Sequence, residues 1–138
     1  LNVRLVLVGA LVGLNFPGPL RAEAASAAEQ IQHGKYLVLH VAMCVQCHTP
    51  RDQEGRLDET HLLQGAPMPV KAPFPNFPWA FRAPAIAGLP GWTTEDAIMF
   101  LQTGKRADGS SPNPPMPPFR FTPEDATAVV AYLKSLTP

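Results

Sequence analysis

The sequence predicts an all-α fold in which helices are separated by long, proline-rich loops, and three observations carry that prediction. Several segments place apolar residues at helical spacing behind clear helix-start signals, and no segment alternates apolar and polar residues for long enough to make a strand. The third observation is the proline distribution. Of 17 prolines in 138 residues, 13 fall in two stretches, Pro67 to Pro90 and Pro112 to Pro123. Proline fixes φ and removes an amide donor, so these stretches read as stiff, mostly extended connections. A composition of 46% hydrophobic and 16% charged residues suits one globular domain.

Along the chain, Arg4 precedes an uncharged apolar run from Leu5 to Leu14, followed by the breakers Pro17, Gly18 and Pro19 and then by Ala22-Glu23-Ala24. This is the pattern of a secretory signal peptide, with cleavage near Ala24 or Ala25. The run is half the length of a bilayer span, which needs about 20 apolar residues. Residues 1–24 are therefore read as a leader for export to the periplasm and residues 25–138 as the domain. An uncleaved anchor is the alternative, and membrane association follows only from that.

Ser26 with Glu29 forms a capping box ahead of Ile31, Gly34, Val38 and Val41, which predicts a helix from about Ala27 to Met43. Gly34 inside it costs about 1 kcal/mol relative to Ala, a cost that close packing of another element would explain. Thr93 with Asp96 starts a second helix through Ile98, Phe100 and Leu101, with Met99 read as core and Gly104 and Lys105 as the stop. Thr122, Pro123 and Asp125 make the clearest start in the chain. The helix behind it carries Val129, Val130, Leu133 and Leu136 on one face and should run to about Ser135.

Charge excludes some classes of function. The 11 basic and 11 acidic residues balance to net zero with no block of like charges, so there is neither a nucleic-acid footprint nor a polybasic membrane patch.

Chemistry is carried by Cys44-Val45-Gln46-Cys47-His48. This is the C-x-x-C-H signature of covalent haem attachment. Two thiols three positions apart can each add to one porphyrin vinyl group, and the next residue places an imidazole beneath the iron, making His48 the proximal ligand. A zinc site would have to recruit from His33, His40 and His61, none of which sits in a second paired motif. A thioredoxin-like dithiol expects a βαβ context that is absent, and a plain disulfide has no use for His48.

The stretch from Gly34-Lys35-Tyr36-Leu37 through Cys44–Pro50, with Pro115-Met116-Pro117-Pro118-Phe119-Arg120 and Tyr132-Leu133-Lys134-Ser135-Leu136 near the end, resembles the class I c-type cytochromes. Within them it is most similar to the domains that serve periplasmic dehydrogenases. The resemblance covers essentially everything after residue 26 and implies three to five helices around one haem c. It makes Met116 the second axial ligand, with Met68, in Ala66-Pro67-Met68-Pro69, as the rival. It also implies that the Pro84 carbonyl accepts the Nδ1 hydrogen of His48, and that Gly34 and Tyr132 mark the contact between first and last helices. Trp92 and Arg120 would donate to haem propionates, or serve as a packed aromatic and a surface cation. The proline-rich excursion between His48 and Pro84 departs from the compact mitochondrial type and is read as a lid over a haem edge or as a docking surface.

A haem iron ligated by His48 and Met116 has no open position for substrate, so the resemblance implies an electron carrier rather than an enzyme. Its partner would be a redox protein: a dehydrogenase, an oxidase or another cytochrome. A peroxidase-like enzyme or a gas sensor is the alternative, and either needs an open sixth site.

Overall fold

Helix α1 is described from Pro19 onward. The computed structural model describes residues 19–137. Residues 1–18, with the apolar run of the expected leader, lie outside them, and the expected cleavage position falls within α1. That helix spans Pro19–Tyr36. Ser26 is therefore inside a helix and not at its start, contrary to the capping-box expectation. The alanine-rich run Ala22-Glu23-Ala24-Ala25-Ser26-Ala27-Ala28 has high intrinsic helix propensity and carries the helix across it.

The far end differs too. From Leu37 to Val41 the chain widens into a π-helical turn, with the Ala42 N–H donating to the Leu37 carbonyl at 2.8 Å. Met43 then takes a left-handed φ of 54° and turns the chain into α2, Val45–His48. A 3-10 turn follows at Glu59–His61. Asp58 caps it, accepting from the Thr60 N–H at 3.0 Å and approaching His61 Nδ1 at 2.7 Å. The short strands β1, Ala66–Pro67, and β2, Arg82–Ala83, pair antiparallel across the proline-rich excursion.

The other two helices start and stop where their local signals put them. Helix α3, Thr94–Thr103, is capped by Thr93, whose hydroxyl accepts from the Asp96 N–H, and ends on Gly104 at φ 70°. Helix α4, Pro123–Ser135, is capped by Thr122 in the same way through Asp125. One placement fails: Met99 is 39% exposed. It lies two positions from each of the buried Ala97 and Leu101, and two steps of about 100° turn a side chain to the far face of the helix.

The core joins both ends of the domain. Leu37 and Val38 from the turn after α1, Leu63, Ala87 and Leu89 from the loops, Leu101 from α3, and Val129, Val130, Tyr132 and Leu133 from α4 form one buried cluster. Gly34 is the point of closest approach. A Cβ there would overlap the Ala128 carbonyl, 2.5 Å from its carbon and 3.0 Å from the Cβ of Tyr132. His33 on α1 adds a 2.7 Å contact between Nε2 and Asp125 Oδ1 on α4. Gly34→Ala should therefore cost about 3 kcal/mol by overpacking, against about 1 kcal/mol for Gly91→Ala, where φ is +77° but nothing lies near. Denaturant unfolding of the two variants measures the difference.

Asp58 gives a pH expectation. Its hydrogen bonds to Thr60 and then His61 hold the carboxyl down at about 2. A depressed folded pKa means its support of this turn is complete above the ordinary carboxylate range and is lost as pH falls through about 2. Carboxyl-carbon NMR titration reads that midpoint directly, and a midpoint at an ordinary value near 4 would contradict the capping geometry.

Candidate functional site

Cys44, Cys47 and His48 lie on one tight turn. The Cys44 N–H donates to the Val38 carbonyl at 3.0 Å, fixing the motif to the end of the π-helical segment, and the His48 N–H returns to the Cys44 carbonyl at 2.9 Å. Both cysteines are free thiols and half-buried. Burial pushes the Cys44 thiol up to about 11, which keeps it protonated and unlike the low-pKa thiolate of a redox-active dithiol.

His48 is 6% exposed, and its Nδ1 lies 2.7 Å from the Pro84 carbonyl oxygen. A carbonyl only accepts, so Nδ1 carries the hydrogen. Burial pushes the imidazole pKa down and the bond to Pro84 pulls the other way. The neutral tautomer this fixes leaves the lone pair on Nε2, which makes no hydrogen bond within the described residues.

Three residues that the sequence reading did not single out build this contact. The Gly65 N–H donates to the His48 carbonyl at 2.7 Å. Gly65 has φ +84°, and a Cβ on it would stand 2.8 Å from Ala85 N and 2.9 Å from Pro84 C, so only glycine lets the Pro84 strand lie this close. Leu63, fully buried at φ 60°, accepts from Ile86 and Ala87 through its carbonyl, while its N–H donates to Thr49 Oγ1 at 2.9 Å. Gly65 was findable as a turn glycine ahead of Ala66-Pro67. Thr49 and Leu63 carry no local signal, because their partners are distant in sequence.

The two methionines fall on different loops. Met116 is half-buried in a bend of the second proline-rich stretch, and Met68 is half-buried beside β1, its N–H donating to the Phe81 carbonyl at 2.9 Å. Trp92 packs on Phe100 with ring centroids 5.2 Å apart, and the exposed Arg120 donates to the Phe119 carbonyl at 2.8 Å. His33 and His61 are exposed and engaged with Asp125 and Asp58. No group of three or more His, Cys, Asp or Glu among the described residues is placed to hold a metal ion.

A family model described as Cytochrome c matches residues 31–137. The chain belongs to the cytochrome c family. The fold described above, helical apart from one two-residue strand pair, is that of this family. The domain is 30% identical over 113 residues to the fructose dehydrogenase cytochrome subunit of Gluconobacter japonicus, covering 75% of this chain and 21% of that one. It is 34% identical over 121 residues to the cytochrome c subunit of a quinone alcohol dehydrogenase of Gluconacetobacter polyoxogenes, covering 79% and 25%. A diheme cytochrome c-type protein of Cereibacter sphaeroides is 30% identical over 141 residues, covering 96% and 44%. The chain thus spans less than half the length of each of these relatives.

The residues present suit the covalently bound haem of this family. Two unbridged thiols and a neutral imidazole with one uncommitted nitrogen are the donor set that attachment and proximal ligation require. Among the described residues no helix is long and apolar enough to cross a membrane. Thr49→Val leaves the buried Leu63 N–H without an acceptor and should cost about 1–3 kcal/mol. Thermal unfolding tests this, with Thr49→Ser, which keeps the hydroxyl, as the milder comparison.

Proposed function

We propose that this domain carries single electrons through one haem c, attached at Cys44 and Cys47, with His48 Nε2 and Met116 Sδ as axial ligands. One observation supports it above the others. His48 has its Nδ1 committed to Pro84, so a single nitrogen remains for the iron, on the same turn as two free thiols. The haem supplies a one-electron couple at its iron. The chain's part is to orient the imidazole, exclude water from it, and present a thioether from a loop stiffened by proline. A thioether raises the potential and closes the sixth position, which is why the domain is read as an electron carrier and not an enzyme.

A single C-x-x-C-H motif supports one haem for this domain. Two of the named relatives are cytochrome subunits of dehydrogenases, and this supports a redox partner of that kind. Pro84 is read as the residue that orients the proximal ligand. The apolar run from Leu5 to Leu14 supports export by a cleaved leader to the periplasm, where haem-bound cysteines are stable.

The deciding measurement is the optical spectrum of the haem-loaded, oxidised protein. The wild type and Met68→Ala should show the weak methionine-to-iron band near the red end, and Met116→Ala should lack it. A wild type without the band that binds carbon monoxide readily when reduced has an open site, and the carrier reading then gives way to an enzyme or a sensor.

A further inference from the structure

The loop bearing Met116 cannot hold itself in place. Five of the seven residues from Pro112 to Pro118 are proline, so only Asn113 and Met116 bring an N–H to it. Such a segment offers carbonyl acceptors and few donors, so the hydrogen bonds that anchor it to the rest of the chain come from donors elsewhere. On its C-terminal side, the Phe121 N–H donates to the Leu101 carbonyl at 3.2 Å, and Pro118 packs on Gly104, its Cβ 2.9 Å from where a side chain would begin.

On its N-terminal side the donor is Ala80, whose N–H reaches the Pro114 carbonyl at 2.8 Å. Ala80 lies at the end of the proline-rich excursion and is itself braced. The neighbouring Trp79 donates from its indole to the Val70 carbonyl at 3.0 Å, and Phe81 accepts from Met68 at 2.9 Å. Beyond Phe81, β2 pairs with β1 and leads into Pro84, which holds His48. The excursion thus runs from the support of one proposed axial ligand to the support of the other.

We propose that Met68 to Arg82 forms a strap, and that its hydrogen bond from Ala80 to Pro114 holds the Met116 loop in the position from which the sulfur ligates. Ala80 is then a positioning residue for the sixth ligand, acting through its backbone. The proposal rests on Met116 being that ligand. It assigns the excursion a task beyond covering a haem edge: it sets how readily the sulfur leaves the iron. Because linkage is reciprocal, ligation by Met116 must in turn stabilise the strap.

The test uses the haem-loaded, oxidised protein titrated with cyanide, which competes with the methionine sulfur, and separately with alkali. Ala80→Pro deletes the N–H and Ala80→Ser keeps it. With one hydrogen bond lost, Ala80→Pro should bind cyanide about threefold to tenfold more tightly and lose the methionine-to-iron band about half to one pH unit lower. Ala80→Ser should match the wild type. Equal cyanide affinity and an unshifted midpoint in Ala80→Pro overturn the strap while leaving methionine ligation standing. A wild type without the band refutes the ligation itself, and the strap with it. If Ala80→Pro fails to take up haem, amide exchange at Ala80 in the wild type decides. Protection that falls when cyanide is bound upholds the strap, and an amide that exchanges equally fast in both states overturns it.

Discussion

The site depends on bringing a carbonyl oxygen from Pro84 to within 2.7 Å of an imidazole 36 residues earlier in the chain. Neither partner is in a position to do this by local geometry. His48 ends a four-residue helix, and Pro84 follows a two-residue strand. What aligns them is a set of hydrogen bonds around Thr49, Leu63 and Gly65, the last two at left-handed φ angles. The arrangement fixes both the tautomer and the plane of the ring, the usual role of a hydrogen-bond acceptor behind a ligating histidine. Burial supports the same outcome, since a ring largely removed from water favours the neutral form that can donate its lone pair.

Much of this domain was legible because its signals are local. The C-x-x-C-H motif is five consecutive residues, and the caps of α3 and α4 each lie within four residues of the groups they satisfy. Gly34 was legible by its cost, and its explanation is the Ala128 carbonyl rather than a side chain alone. The first helix was misread for a related reason. A capping box is only a boundary if the residues before it are poor helix formers, and here Leu20 to Ala25 are all good ones. The π-helical turn and the left-handed Met43 had no signature, since both answer to the need to aim Cys44 toward the Val38 carbonyl. Met99 fell to a simple register effect.

The proline-rich excursion was visible as a composition but not as a shape. Its stiffness follows from the prolines, yet its course is set by single hydrogen bonds to Phe81, Val70 and Pro114. It also keeps Phe74 and Phe81 largely exposed, at 67% and 90%, within a run from Thr60 to Thr94 that contains no carboxylate. The overall neutrality of the chain therefore hides an uneven distribution, with the acids gathered elsewhere.

The contact between Gly34 and Ala128 has a consequence for how the domain assembles. It joins the first described helix to the last, so the largest part of the core closes only after nearly the whole domain is available. Loop-closure entropy grows slowly with length, at about 0.6 kcal/mol per doubling, so the distance adds little to the equilibrium cost. It weighs instead on the rate, because contacts of high sequence separation form late. The cysteines lie near the beginning of this order of events and Met116 near its end. Clipping either α1 or α4 from the finished domain dismantles the same core.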